Sequence, residues 1–426
     1  MSSWTNTLCR VLPGLLLLTL LLAGCQAAQS GFATPVPEVL VVTNGALWQN
    51  GQLIPDGVLV MREGRIEAAG TAAEIAIPTG AVQIDAGGGT ILPGLIDDHV
   101  HNAAEPEIRR KFLEAGVTTL CDTGASAIQL RLYQAEKPAA ELIARVYYAG
   151  PFISAPGGYP ADTDASARLE VATPDEARQA VQKLAGEGVS YIKVALDDGR
   201  GEEPLPVLSN EVLQAVVAEA HSLGLTVRAH VLDAKYLDLA LDAGVDAIEH
   251  IPAPNFSRQV FELWMRSDRA LTLPKAYLAQ LQRLASSGLP LTPTLEVLER
   301  RTCNTTAQSQ AERDACVRVY VESVRQFHQM GGVIAFGNDF GSAGMSAGLK
   351  WREIELLQQA GLSNAEIITA ATATAARVCG HGDEIGALTP GYSADVLVVD
   401  GNPLTDLTAL QRVKTVILAG QVVGKD

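Results

Sequence analysis

The stretch LPGLIDDHVH, residues 92–101, closes an apolar run with a proline–glycine turn, two acids and two histidines one residue apart. Side chains on a strand alternate faces, so His99 and His101 share one, and Asp97 shares it with them. On the first strand of a parallel barrel that face opens at the C-terminal mouth, where two imidazoles can bind one ion and Asp97 can orient a ligand or cap the turn. A polar strand end would look the same. The neighbouring sequence decides between the two.

Downstream, apolar strand-like runs alternate with helical stretches, the pattern of βα units around a parallel sheet. Eight strands are expected: GLIDDHVH, VTTLCDTG, RVYYAGPFIS, VSYIKVALD, LTVRAHVLD, VDAIEHI, LPLTPTLEV and GVIAFGNDFG. In the helical stretch TPDEARQAVQKLAGEG, Thr173 can cap, Pro174 suits the first turn, and Asp175 and Glu176 oppose the helix dipole. Eight units predict an α/β fold, a (β/α)8 TIM-like barrel over residues 93–387. No Gly-x-Gly-x-x-Gly follows the first strand, which removes the main support for a dinucleotide-binding sheet. Short alternating strands with Gly, Asn and Pro punctuation occupy residues 38–92 and return over 388–426, so both chain ends are expected to build one small β-sandwich.

The barrel strands carry further chemistry at their ends. Lys193 lies between Ile192 and Val194, where an ammonium is costly to bury. Asp197 or Asp198 could compensate it; alternatively, carbon dioxide could carbamylate the amine into a carboxylate-like bridge for two metal ions. His230 and His250 each close a strand, and Asp339 ends the eighth among glycines. A single such residue is ordinarily structural, but four histidines, a lysine and an aspartate at the ends of strands one, four, five, six and eight point to one site. His221, His328 and His381 fall in or after helical runs and are excluded.

The segments PGLIDDHVH, AHVLDAKYLDLALDAGVDAIEHI and GNDFG resemble the strand-one, strand-five to strand-six and strand-eight motifs of the amidohydrolase superfamily. AGVTTLCDTG and GALTPGYSADVLVVD are similar to its imidazolonepropionase-like and Xaa-Pro dipeptidase-like branch, and the resemblance covers residues 38–424. It implies that His99 and His101 bind the more buried of two divalent ions, that carbamylated Lys193 bridges, and that His230 and His250 bind the second. Asp339 is implied as a ligand and general base. Nitrogen and oxygen ligands suit zinc, with manganese, iron or cobalt as alternatives. A water bridging the ions loses its proton near neutral pH, and one ion can polarise a carbonyl. Where dipeptidase-like relatives carry a histidine after two glycines, this chain has Tyr159 and Pro160. Tyr159 and Arg228 are the candidate substrate contacts; Trp264, Arg266 and Arg269 are lid or surface residues.

The expected activity is hydrolysis of an amide-type carbon–nitrogen bond in a small substrate, a dipeptide or a cyclic amide. An esterase, lactonase or phosphotriesterase using the same site is the near alternative, and a binding lipoprotein without turnover the distant one. A net charge of −16 excludes a nucleic-acid partner, which needs a basic face. A second copy of the chain remains open as a partner.

The N-terminal run VLPGLLLLTLLLAGC follows one basic residue, Arg10, and reads as a secretory leader over residues 1–24. LAGC resembles a bacterial lipobox, which implies a lipid on Cys25 and a tether over 25–37. Gln26 lacks the aspartate associated with inner-membrane retention. The expected location is the periplasmic face of the cell envelope, at the outer membrane if the cell is Gram-negative. A disulfide between Cys303 and Cys316 is expected there. Cys121 and Cys379 are expected as small buried hydrophobes.

Overall fold

The computed structural model describes residues 38–135, 142–160, 165–199, 203–254, 272–304, 307, 309–342 and 344–424. The expected leader, tether and Cys25 lie outside the described residues, as do Trp264, Arg266 and Arg269. No described helix is long and apolar enough to cross a membrane.

The first strands are β1 (Val39–Gln49), β2 (Gln52–Arg62), β3 (Arg65–Thr71), β4 (Val82–Asp85) and β5 (Thr90–Pro93). The last are β16 (Val396–Val399), β17 (Val413–Leu418) and β18 (Gln421–Val422). They form one sheet in the order β18-β17-β16-β5-β1-β2-β3, with β4 also on β1. The first half of β1 pairs with β4 and its second half with β5, so the sheet forks at Asn44 and Gly45. A Cβ at Gly45 would stand 2.7 Å from that of Ala86, so a side chain would push the fork apart. Leu40, Val42, Leu59, Met61, Ile91, Val396, Val398 and Ile417 pack between the two halves of this β-sandwich.

β5 leads directly into the barrel. Its strands are β6 (Leu95–Val100), β7 (Val117–Asp122), β8 (Arg145–Tyr148) with β9 (Phe152–Ser154), β11 (Tyr191–Ala195), β12 (Thr226–His230), β13 (Ala247–Glu249), β14 (Pro290–Thr292) and β15 (Val333–Ile334). Every pairing among them is parallel. The third strand is broken into β8 and β9 at Gly150 and Pro151, and β10 (Arg168–Glu170) adds a strand beside β9 that the eight-unit pattern did not contain. Chain beyond β15 closes the ring onto β6: Asp98 N donates to Phe336 O at 3.0 Å and Asp339 N to His99 O at 2.7 Å. Gly337 is essential to that seam, because a Cβ there would sit 2.8 Å from His99 N and closer still to Asp98.

Strands such as VTTLCD and YIKVA are buried at every position, as expected for strands covered on both faces. On the outer layer, helix Pro174–Gly186 begins with the anticipated cap. Thr173 accepts from Glu176 N while Glu176 accepts from Thr173 N, a reciprocal pair worth about 1 kcal/mol.

Two disulfides are present among the described residues. Cys303–Cys316 joins the turn before helix Gln310–Gln329 to its second turn. Cys121 and Cys379 are buried, as expected of small hydrophobes, and are bonded to each other. They lie 258 residues apart in sequence, on β7 and just after the last barrel helix, so only the closed fold brings their Cα atoms to 6.0 Å.

Candidate metal centre

His99, His101, His230, His250 and Asp339 meet at the C-terminal mouth of the barrel. Ligand atoms of His99, His250 and Asp339 all lie within 4.8 Å of one another. Asp339 Oδ1 is 3.2 Å from His101 Nε2 and 3.9 Å from His99 Nε2. His230 Nδ1 stands 2.9 Å from His250 Nε2.

Strand alternation alone does not produce this convergence. His250 and Asp339 both adopt left-handed backbone, with φ of 67° and 59°. Non-glycine residues seldom do so, and such strain gathers at functional sites. At His250 the turn lets two consecutive side chains, Glu249 and His250, face the same interior. That is how the site gains Glu249, which alternation from His250 would have turned outward.

The far nitrogen of each buried imidazole is engaged. His99 Nδ1 lies 2.5 Å from Glu249 Oε2, His250 Nδ1 lies 2.7 Å from Thr294 Oγ1, and His230 Nε2 lies 3.1 Å from Asp197 Oδ2. Protons placed on those nitrogens leave the lone pairs of His99 Nε2, His250 Nε2 and His230 Nδ1 for the interior. Burial lowers the affinity of His99, His230 and His250 for a second proton, whereas at His101 burial is outweighed by the hydrogen bond and charge of Asp339, which raise it. Burial pushes His99 down to about 4 and His250 well below the ordinary range, and it lowers His230 as well. Neutral imidazoles are the form that binds a metal. Burial raises the Asp339 carboxyl, but the hydrogen bond from His101 and the charge on that ring outweigh it and hold the group well below the carboxylate range.

Lys193 is fully buried, and its Nζ has no hydrogen-bond partner among the described residues. The bland expectation of a carboxylate partner is corrected here. Asp197 faces His230, and Asp198 accepts from Lys235 at 2.6 Å. Burial pushes the Lys193 ammonium down to about 8 despite attraction by Glu249. A bare ammonium among these histidines would repel a divalent ion, whereas a carbamate would bring two oxygens to it. The donor set therefore fits a divalent metal, with nitrogen and oxygen ligands and no thiolate.

Tyr159 stacks on His230, ring centroids 4.4 Å apart, and so reaches the site from the loop after β9. Arg228, expected as a substrate contact, is corrected. It is 0 % exposed, one layer deeper on β12, donating from Nε to Glu249 Oε1 and from Nη2 to Asp98 O, each at 2.6 Å. Asp97 does not orient an imidazole. It accepts from the Asn338 side-chain amide and from the backbone N–H groups of His99 and Asn338, stitching the barrel seam. The excluded histidines lie elsewhere, His221 against Asp246, His328 against Glu366 and His381 stacked on Tyr147.

A parallel barrel with a split β domain, and with histidines and an aspartate converging at the strand ends, defines a metallohydrolase-type scaffold. The chain belongs to the amidohydrolase family, whose model matches residues 90–423. A putative prolidase from Bifidobacterium longum superposes with a TM-score of 0.73 at 29% identity, covering 92% of this chain and 96% of that one. Ochratoxinase from Aspergillus niger is 29% identical over 248 residues, 57% of this chain and 47% of the relative, so the match spans about half of its length. An uncharacterised protein of Mycobacterium tuberculosis is 25% identical over 356 residues, 79% of this chain and 86% of that protein.

Proposed function

We propose that this protein hydrolyses an amide-type carbon–nitrogen bond in a small substrate, a dipeptide or a cyclic amide. Two divalent ions, zinc by the chemistry of the donors, would be held by His99, His101, His230, His250, Asp339 and a carbamate on Lys193. The observation that carries the reading is the convergence of four histidines and Asp339 around buried Lys193, whose Nζ has no hydrogen-bond partner among the described residues. Support comes also from similarity to proteins named for prolidase and ochratoxinase activity.

When bound, the ions supply Lewis acidity and lower the pKa of water. Asp339 accepts a proton from the attacking water at a carboxylate oxygen and returns it to the leaving nitrogen as the carbon–nitrogen bond breaks, giving a carboxylic acid and an amine. Glu249, Thr294 and Asp197 keep the imidazoles in their ligating tautomers. Tyr159, flat against His230, forms one wall for the substrate. The sequence supports placing the enzyme at the periplasmic face of the envelope, anchored by lipid on Cys25.

The test is metal content of the chain from residue 26 onward, expressed with zinc and bicarbonate, beside Lys193→Ala. About two ions in the parent and fewer in the variant are expected from a bridged pair. A panel of dipeptides, cyclic amides, lactones, esters and phosphotriesters then assigns the bond cleaved. No bound metal under any supplementation would move the non-catalytic lipoprotein reading to the front.

A further inference from the structure

Glu249 belongs to no expected ligand set, yet it is fixed at both ends of its carboxylate. It is 0 % exposed, and both of its oxygens are committed, Oε2 to His99 Nδ1 at 2.5 Å and Oε1 to Arg228 Nε at 2.6 Å. Arg228 is equally buried, fixed by Asp98 O and lying with its guanidinium carbon 4.7 Å from the centre of the Tyr191 ring. Burying a charged pair costs several kcal/mol of desolvation per ion and needs geometry and additional hydrogen bonds to offset it. A barrel core filled with apolar side chains would avoid that cost.

We propose that Glu249 is a positioning residue for the metal centre, held in place by Arg228 so that its carboxylate dictates which nitrogen of His99 carries the proton. The proposal rests on the metal-centre reading above. Arg228 is a donor only, so Oε1 must accept from it. Oε2 must then accept from His99 Nδ1, and His99 Nε2 is left as a lone pair directed toward Asp339. The left-handed backbone of His250 makes this possible, since it lets Glu249 and a neighbouring ligand occupy one interior.

This logic predicts an unusual outcome for Glu249→Gln. Its amide oxygen is claimed by Arg228, so the amide NH2 faces His99 Nδ1. The imidazole must then accept there and carry its proton on Nε2, where no ion can bind. Removing Arg228 as well frees the amide to rotate and offer its oxygen to His99.

Zinc alone would be titrated into the chelator-stripped full chain against a competing chelator, for the parent, Glu249→Gln and the double variant Arg228→Met/Glu249→Gln. Zinc affinity about 10- to 100-fold weaker in Glu249→Gln is expected, with recovery in the double variant. A Glu249→Gln chain that binds zinc like the parent overturns the proposal, as does a double variant no tighter than the single one. If the variants do not fold, 15N-histidine NMR of the metal-free parent decides, with the His99 signals assigned through His99→Asn. A proton on Nδ1 is expected, and a proton on Nε2 overturns the proposal. A parent that takes up no zinc counts against the metal reading, while the NMR result still decides the role of Glu249.

Discussion

His230 Nδ1 and His250 Nε2 face each other across 2.9 Å, and the opposite nitrogen of each ring is occupied by Asp197 or Thr294. Two lone pairs pointed at one another are unfavourable without a proton or a cation between them. Replacing His230 by Ala is expected to reduce bound zinc from about two ions per chain to about one, measured by elemental analysis. Unchanged stoichiometry would remove His230 from the ligand set.

Asp339 is anionic and touches His101 at 3.2 Å. As the proton acceptor and donor of the reaction it should contribute roughly 10²- to 10⁴-fold to turnover. Asp339→Asn is expected to lower kcat by that range on whichever substrate the panel identifies. A variant with parental kcat has no general base at this position.

Tyr159 covers His230 with an interplanar angle of 21°. Tyr159→Ala should raise KM, by about tenfold if one aromatic contact of about 1 kcal/mol is lost with its share of burial. Metal content should be unaffected. Loss of metal in Tyr159→Ala would show that the ring supports His230 rather than the substrate.

Glu353 is a buried carboxylate that accepts from Leu295 N at 2.9 Å and Glu296 N at 2.6 Å. Burial outweighs these bonds and pushes its pKa up to about 8. The folded chain therefore holds this proton more tightly than the unfolded chain does. The resulting stability is fully present below about pH 4.5 and is lost as pH rises through 8. Raising the group from 4.5 to about 8 corresponds to on the order of 5 kcal/mol over that window. Glu353→Gln should unfold more easily at low pH, having one acceptor for two donors, and show a flatter dependence of Tm on pH between 5 and 8. A slope identical to the parent's would mean that Glu353 is ionised throughout.

Cys121–Cys379 closes 258 residues of chain. Loss of so long a crosslink from the unfolded state should cost about 2–5 kcal/mol. The paired variant Cys121→Ser/Cys379→Ser is expected to show a lower Tm than the parent under oxidising conditions and the same Tm under reducing ones. A difference that persists in reductant would place the effect in packing rather than in the bond.

The barrel was legible because its strands are short apolar runs, five of which carry a functional residue, and His99, Lys193, His230 and Asp339 could be counted off along them. Glu249 was hidden by the rule that revealed the others. Period-two alternation puts residues 249 and 250 on opposite faces, and the left-handed turn at His250 that cancels this leaves no mark in the string VDAIEHI. An acid inside an apolar strand, like the lysine in VSYIKVALD, was the available signal. Arg228 was misread because an arginine beside a ligand strand looks like a substrate anchor, and only its depth shows that both its charge and its length are used inward. The pairing of Cys121 with Cys379 stayed open in the sequence, since it depends on where the last helix lands.

The strand that enters the barrel, β5, is flanked by β1 from the start of the chain and by β16 from its end, with Val396 opposite Pro93 and Val399 opposite Thr90. A ribosome must therefore deliver residues as far as Val399 before this edge of β5 is covered. Until then the growing chain carries the open sheet edge ILP beside an unfinished barrel, a template for pairing with other chains. Truncation just before β16 would turn a latent stage of biogenesis into a permanent one, with aggregation rather than simple loss of activity as its outcome.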